Sequence, residues 1–417
     1  MWLRCSVAVV VARVLIVLPS ASYRTADFVA AAKTLRAEAI IATDAAQVIR
    51  GRTASPRMVR VDPLRPEWSA RRIVEFAEEF PLDAVVAADD GGVVMAAVAA
   101  KELGLVHNSL EAARATRDKS TMREIFARAE LPQPAYRIIG ANDDPSRACT
   151  EVGYPAVLKP VSLSASRGVI RVDDADAVPA AVARIGAITA EAGRDPDEPI
   201  LAEAFLPGTE IALEGLLVDG DLEVLALFDK PDPMNGPYFE ETILVTPSVL
   251  DGRVQDQIAA IARAAAAALG LVQGPIHAEM RIDDGRVSLL EVAARSIGGL
   301  CGRSLRFGLL GTSLEVTLLR SALGYRGEPS ALQSAASGVM MLPIPRAGIL
   351  TNISGQEQAR AVPGIVDMEM TIPIGSHVRP PPEADRYLGF LFALGDTPRA
   401  TEESLRQAHA ELTIEIR

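Results

Sequence analysis

The chain has 417 residues, enough for two to four domains, and its 49% hydrophobic and 23% charged residues suit a soluble globular protein and exclude large-scale disorder. A net charge of −12 without a long basic run argues against nucleic-acid binding, and no stretch is long and charge-free enough to span a membrane. Three separated cysteines, Cys5, Cys149 and Cys301, have no CxxC spacing, and the four histidines form no HExxH, so a reducing, cytoplasmic setting is expected and a Cys-based zinc site is not.

The amino terminus, "MWLRCSVAVVVARVLIVLPSAS", imitates a secretory signal: a basic residue, an apolar stretch, then small residues. The favoured reading is a buried parallel strand, because "ARVLIVLPS" is followed by the helix-periodic "TADFVAAAKTLRA" and the apolar "EAIIATD". Residues 1–10 are then a dispensable leader or an over-long start. Alternating strands and helices continue to about residue 112 and predict an α/β first domain over 1–112, without the GxGxxG of a dinucleotide site. From 113 the texture turns α+β. A charged helix, "TRDKSTMREIFARAE", a strand, "YPAVLKPV", and a helix, "ADAVPAAVARIGAITAEAG", suggest one unit over 113–192. Two hairpins, one turning at Asp219-Gly220 and one at "DDG", suggest another over 193–324. A separate β-rich region is expected over 325–417, with antiparallel strands and little else.

Four constellations could carry chemistry. Lys159 ends an apolar strand, where a bare ammonium is costly to bury without an anion. The following "SLSASRG" offers the hydroxyls of Ser162, Ser164 and Ser166, the Arg167 cation and the permissive Gly168, a set suited to a polyphosphate; an ordinary mobile loop is the competing reading. In "ILAEAFLPGTEIALEG", Glu203 and Glu210 flank a Pro-Gly turn, where a backbone edge could pair with a purine and a carboxylate could accept from ribose hydroxyls. Two solvated acids beside a turn are the alternative.

Glu279 and Glu291 lie on either side of Gly285. A hairpin with an odd number of loop residues would set them opposite each other on one face. Two like charges so placed, among Ile276, Met280, Leu289, Leu290 and Val292, call for a cation, and Mg²⁺ with one or two carboxylates fits. The alternative is an exposed acidic pair. Arg295 could clamp a carboxylate beside such a site or merely neutralise Glu291, and His277 reads as a packing or supporting residue.

The order of these features resembles the ATP-grasp superfamily: Lys119 on a helix, Lys159 forty residues on, a small-residue loop, "EAFLPGTE", then two acids twelve positions apart and an Arg. The likeness covers about residues 112–312 and implies an ATP-grasp fold behind the parallel-sheet domain. It implies Lys119 and Lys159 as phosphate ligands, a loop of Ser164, Ser166, Arg167 and Gly168 closing over the triphosphate, and Glu203, Phe205, Leu206 and Glu210 around adenine and ribose. Glu279 and Glu291 become ligands for Mg²⁺, two ions being expected, with Mn²⁺ as a substitute.

Many ATP-grasp enzymes carry an Asn where this chain has Ala293. "E-x-A-A-R" with "H-x-E" upstream is similar to the L-amino acid ligase branch, as is "DKPDPMNGPYFEETILVTPS", with Lys230, Glu240 and Glu241 near the amino-acid pocket. Leu244 stands where some relatives are polar. The resemblance also places Arg295, His277, Gly298 and Gly299 at the substrate, with Arg295 and Lys159 as the catalytic cations. It implies a homodimer that joins a carboxylate and an amine through an acyl phosphate. A ligase for a non-amino-acid carboxylate and a non-catalytic nucleotide-binding module are the alternatives.

Overall fold

The computed structural model describes residues 11–19, 22–44, 57–325, 331–333 and 335–417; the leader expected at 1–10, with Cys5, lies outside them. The "RVLIV" segment is strand β1 (Arg13–Val17), buried at the centre of a parallel sheet with β2 (Glu38–Thr43), β3 (Arg57–Arg60) and β4 (Ala84–Ala87) in the order β3-β2-β1-β4. A strand covered on both faces must be apolar throughout, which is why it mimics a signal sequence. The carboxyl ends of β1 and β4 lead into loops that reach the cleft described below.

The second sheet is antiparallel, β5 (Tyr136–Ile139), β8 (Ile200–Ala204), β6 (Ala156–Pro160) and β7 (Ile170–Val172), with helices Pro145–Val152 and Val178–Glu191 packed against it. The third is eight-stranded. It contains β9 (Thr209–Val218), β10 (Asp221–Asp229), β11 (Ile243–Thr246), β12 (Gly274–Asp283) and β13 (Arg286–Ala293), in the order β13-β12-β9-β10-β11. Strands Ala336–Leu342, Gly389–Gly395 and Ile365–Met370 extend it beyond β11.

Two local expectations need correction. The β12–β13 loop holds two residues, not an odd number: Asp283 pairs with Arg286 around Asp284 and Gly285, both left-handed, at φ 46° and 74°. The odd residue is a bulge instead, because Met280 faces Leu289 while Glu279 faces Glu291, leaving Leu290 extra. Without that bulge the two acids would be out of step. The C-terminal region is β-rich, but it also holds helices Gln356–Ala361 and Pro398–Ala410. The second starts where the Thr397 side chain accepts from the Ala400 amide ahead of a first-turn proline, and buries Thr401, Leu405 and Ala408 on one face.

One buried cation ties the first domain to the large sheet. Arg24, 1% exposed, donates to Ala88 O at 3.3 Å, Ser296 Oγ at 2.8 Å, Ile297 O at 3.1 Å and Glu315 Oε1 at 2.9 Å. Removing one partner of such a pair strands the other charge, at a cost of about 3–5 kcal/mol, whereas removing both costs less. Arg24→Met should therefore lower the unfolding free energy in urea by that amount, and adding Glu315→Gln should restore part of it. An additive double variant would contradict the pairing.

Candidate active site

All three sheets meet around a cleft of about 380 Å³. One wall of it comes from β6, β8 and the loop between β6 and β7. Lys159, at the end of β6, donates to Glu203 at 2.6 Å, and Arg123 grips the same carboxylate from helix Lys119–Arg128. Glu203 is 2% exposed. Burial alone would raise its pKa, but Arg123 and Lys159 overcome that and hold it at about 2. The two-solvated-acids alternative thus fails for Glu203, and also for Glu210, which is buried against Lys230 at 2.7 Å and Arg281 at 3.2 Å.

The small-residue loop is tightly shaped. Ala165 and Ser166 both adopt left-handed backbone, φ 56° and 54°, a conformation that non-glycine residues take at a cost of about 1–2 kcal/mol each. The turn is closed by Arg167 N donating to Ser164 O at 3.3 Å, and Gly168 N donates across to Pro382 O at 2.9 Å. Ser164, Ser166 and Arg167 line the cleft, and the Arg167 Nε is buried without a hydrogen-bond partner. Phe205 and Leu206 line it beside Val157, Met234 and Phe239, an apolar slot for a flat ring.

At the floor, Glu279 and Glu291 are register partners, and both line the cleft. Glu291 pairs with Lys119 at 3.2 Å, and the Lys119 ammonium also donates to Leu163 O at 2.6 Å. Glu279 belongs to a buried knot. Its carboxylate, with those of Glu210 and Glu241, presents oxygens within 4.8 Å of one another, and Lys230 donates to all three. Lys230 is 3% exposed and is not itself in the lining of the cleft, which it meets through Glu241 and Glu279. Burial disfavours its charge, yet the three carboxylates raise its pKa well above the ordinary lysine value. Burial and the nearby Glu279 raise Glu241 despite Lys230, while Lys230 and His277 hold Glu279 well below the usual carboxylate range against the effect of burial. Glu240 is outside the cleft lining, its pKa pushed up to about 7 by burial.

His277 bonds to Glu214, and its other nitrogen lies 3.7 Å from Glu279. Glu214 outweighs the desolvation of the ring and raises its pKa to about 9. The second Glu214 oxygen accepts from Ile297 N at 3.0 Å, fixing the loop that follows β13. That loop carries Arg295, Gly298 and Gly299 into the cleft. Arg295 does not neutralise Glu291: it pairs with Asp90 of the first domain at 3.0 Å, and Arg117 holds the same Asp90 at 3.1 Å. Burial raises the Asp90 pKa, but the two guanidinium groups hold its carboxyl far below the ordinary range.

Residues 152–304 match the ATP-grasp domain, and residues 340–417 match L-amino acid ligase C-terminal domain 2. The chain is 32% identical over 261 residues to the alanine–anticapsin ligase of Bacillus subtilis, covering 57% of this chain and 53% of that protein. It is 29% identical over 215 residues to the D-alanine–D-alanine ligase of Aromatoleum aromaticum, 49% of this chain and 66% of that one. The chain thus spans about half the length of the first curated relatives it matches. The fold matches the crystal structure of the L-amino acid ligase from Bacillus licheniformis with a TM-score of 0.82 at 24% identity, over 97% of this chain and 99% of that one.

Within and beside the ATP-grasp domain, sequence reasoning missed Asp90, Arg117, Arg123, Glu214 and Arg281. Arg281 is buried and donates to Leu206 O and Gly208 O, both at 3.2 Å, fixing the "FLPG" turn. Its only sequence signal is a cation two residues after Glu279 on the same strand. The Glu203 cluster makes a pH prediction. A carboxyl moved from 4.5 to about 2 contributes stability that is fully present above pH 4.5 and lost as pH falls towards 2. The gap in unfolding free energy between wild type and Glu203→Gln should therefore narrow across that window in urea titrations. A pH-independent gap would contradict the assignment.

Proposed function

We propose that the chain is an ATP-dependent ligase that joins a carboxylate, of an L-amino acid, to an amine through an acyl phosphate, releasing ADP and phosphate. The observation that carries this reading is the facing pair Glu279 and Glu291, at the floor of a cleft walled by Lys119 and Lys159 and closed on the first-domain side by Arg295. Amino-acid substrates are supported by the L-amino acid ligase C-terminal domain over 340–417 and by the named substrates of the relatives.

Facing carboxylates are hard oxygen donors of the kind Mg²⁺ takes together with phosphate and water, so Glu279 and Glu291 would hold the metal. Two ions are proposed, with Mn²⁺ as a substitute; when bound, the metal offsets the negative charge of the phosphates. Lys119 and Lys159 hold the triphosphate, and Ser164, Ser166, Arg167 and Gly168 cover it. Phe205 and Leu206 border adenine, and Glu203 and Glu210 support that wall through their ion pairs.

In the reaction an oxygen of the substrate carboxylate attacks the γ-phosphorus and ADP leaves. The amine then attacks the acyl carbon, a proton is lost from nitrogen, and phosphate departs with the attacking oxygen. Arg295 holds the carboxylate in place against the repulsion of the triphosphate. Glu241 and His277 lie on the substrate side, with Gly298 and Gly299 leaving room beside Arg295. A homodimer in the cytoplasm is proposed alongside; no described helix is long and apolar enough to cross a membrane, and the described cysteines, Cys149 and Cys301, are free and buried.

Phosphate release from MgATP with pairs of amino acids tests the reading. Glu291→Gln should lower turnover about 100-fold or more at unchanged thermal stability. Arg295→Ala should lower kcat/KM for the carboxylate about 30-fold or more, the cost of deleting a buried charge partner. Retained activity in Glu291→Gln, or unchanged kinetics in Arg295→Ala, would remove that residue from the mechanism.

A further inference from the structure

Strand β4 ends at Ala87, and the chain continues through Ala88 into two consecutive acids, Asp89 and Asp90, both in the lining of the cleft. Their circumstances differ. Asp90 is gripped by Arg295 and Arg117. Asp89 makes no ion pair among the described residues, and its buried Oδ2 has no hydrogen-bond partner. Every other acid that lines the cleft is ion-paired: Glu203, Glu210, Glu241, Glu279 and Glu291 as described, and Asp385 with Arg386 at 3.1 Å.

A carboxylate oxygen buried without a partner costs about 1–3 kcal/mol or more, and a cation supplied by a ligand would recover that cost. The position narrows what the cation is. Asp89 directly precedes the acid that holds Arg295, and Arg295 is the guanidinium suited to a substrate carboxylate. The backbone at Ala88 is fixed by Arg24, which also bonds to Ser296 and Ile297, so the acid and the Arg295 loop are held in one frame. Pro19, against which a side chain at Gly91 would pack at 3.8 Å, and Tyr23 wall the same side of the cleft. A ligand with a carboxylate and an ammonium on neighbouring carbons carries one charge to suit each group.

We infer that Asp89 is the anchor for the α-ammonium of the acyl-donor amino acid, whose carboxylate lies at Arg295. This rests on the ligase reading above and deepens it. The acyl donor, not the acceptor, is assigned on chemical grounds: a neighbouring carboxylate stabilises the protonated amine, whereas the attacking amine must be the free base. Asp89 would then keep the donor's own nitrogen charged and unreactive, so that the activated carboxyl waits for the acceptor. It would also select α-amino acids over carboxylates that lack the amino group.

The test compares the full chain with its Asp89→Asn variant, an isosteric change at a side chain whose buried Oδ2 has no hydrogen-bond partner. Binding is read by calorimetry with Mg²⁺ and a non-hydrolysable ATP analogue present, for each common L-amino acid and its des-amino counterpart, such as alanine against propionate. The wild type should bind its preferred amino acid about 10- to 100-fold more tightly than the des-amino acid, the worth of a charge-assisted hydrogen bond. Asp89→Asn should abolish that preference while leaving the affinity for the ATP analogue unchanged. A wild type without the preference, or a variant that keeps it, overturns the inference. Phosphate release in the same mixtures judges the ligase reading separately. Preference without release would sink the ligation and keep the anchor, and release with the preference untouched by Asp89→Asn would do the reverse.

Discussion

The architecture depends on keeping acids together in a half-closed space. Glu210, Glu241 and Glu279 present oxygens within 4.8 Å of one another, from β9, from the segment before β11 and from β12, and three such charges repel strongly away from water. A single ammonium, that of Lys230 at the end of β10, bonds to all three. The knot fixes how the adjoining strands present their side chains. Glu279 is thereby held at the floor opposite Glu291, and Glu210 is locked to Arg281 and through it to the turn at Leu206 and Gly208.

The same logic is repeated at each wall. Arg123 and Lys159 share Glu203, Lys119 meets Glu291, and Arg295 and Arg117 share Asp90. Most cations of the cleft are held by acids of the protein itself, so under the proposed function a polyanionic nucleotide would enter by exchanging partners with Lys119 and Lys159. Such groups are preorganised for charge that develops during reaction and need little rearrangement, which is where a phosphoryl-transfer site gains most of its rate. Arg24 extends the frame into the first domain, bonding both to Ala88 beside the Asp89-Asp90 corner and to Ser296 and Ile297 of the Arg295 loop.

The one-dimensional pattern revealed the strands and the hairpins, because these are set by local periodicity and turn chemistry. Asp219-Gly220 and Asp284-Gly285 both turn as the dipeptides imply, with left-handed backbone at each residue. The facing of Glu279 and Glu291 was legible, but its cause was not: a bulge at Leu290 depends on how β13 lies against its neighbour, not on the loop length. Ion-pair partners were hidden for the same reason. Nothing near Arg295 in the chain points to Asp90, 205 positions earlier, and the three acids around Lys230 come together only in the folded sheet. The helix Pro398–Ala410 was readable from Thr397 and Pro398, and was obscured by the strand-like texture around it.

The proposed reaction transfers a carboxylate oxygen to phosphorus before the amine attacks. It is tested most directly by supplying the acyl-donor amino acid with both carboxyl oxygens labelled with heavy oxygen, together with MgATP and an acceptor amine. Mass spectrometry of the products should find one heavy oxygen in the released phosphate and the other in the new amide. Unlabelled phosphate, or heavy oxygen in AMP, would contradict the acyl-phosphate route.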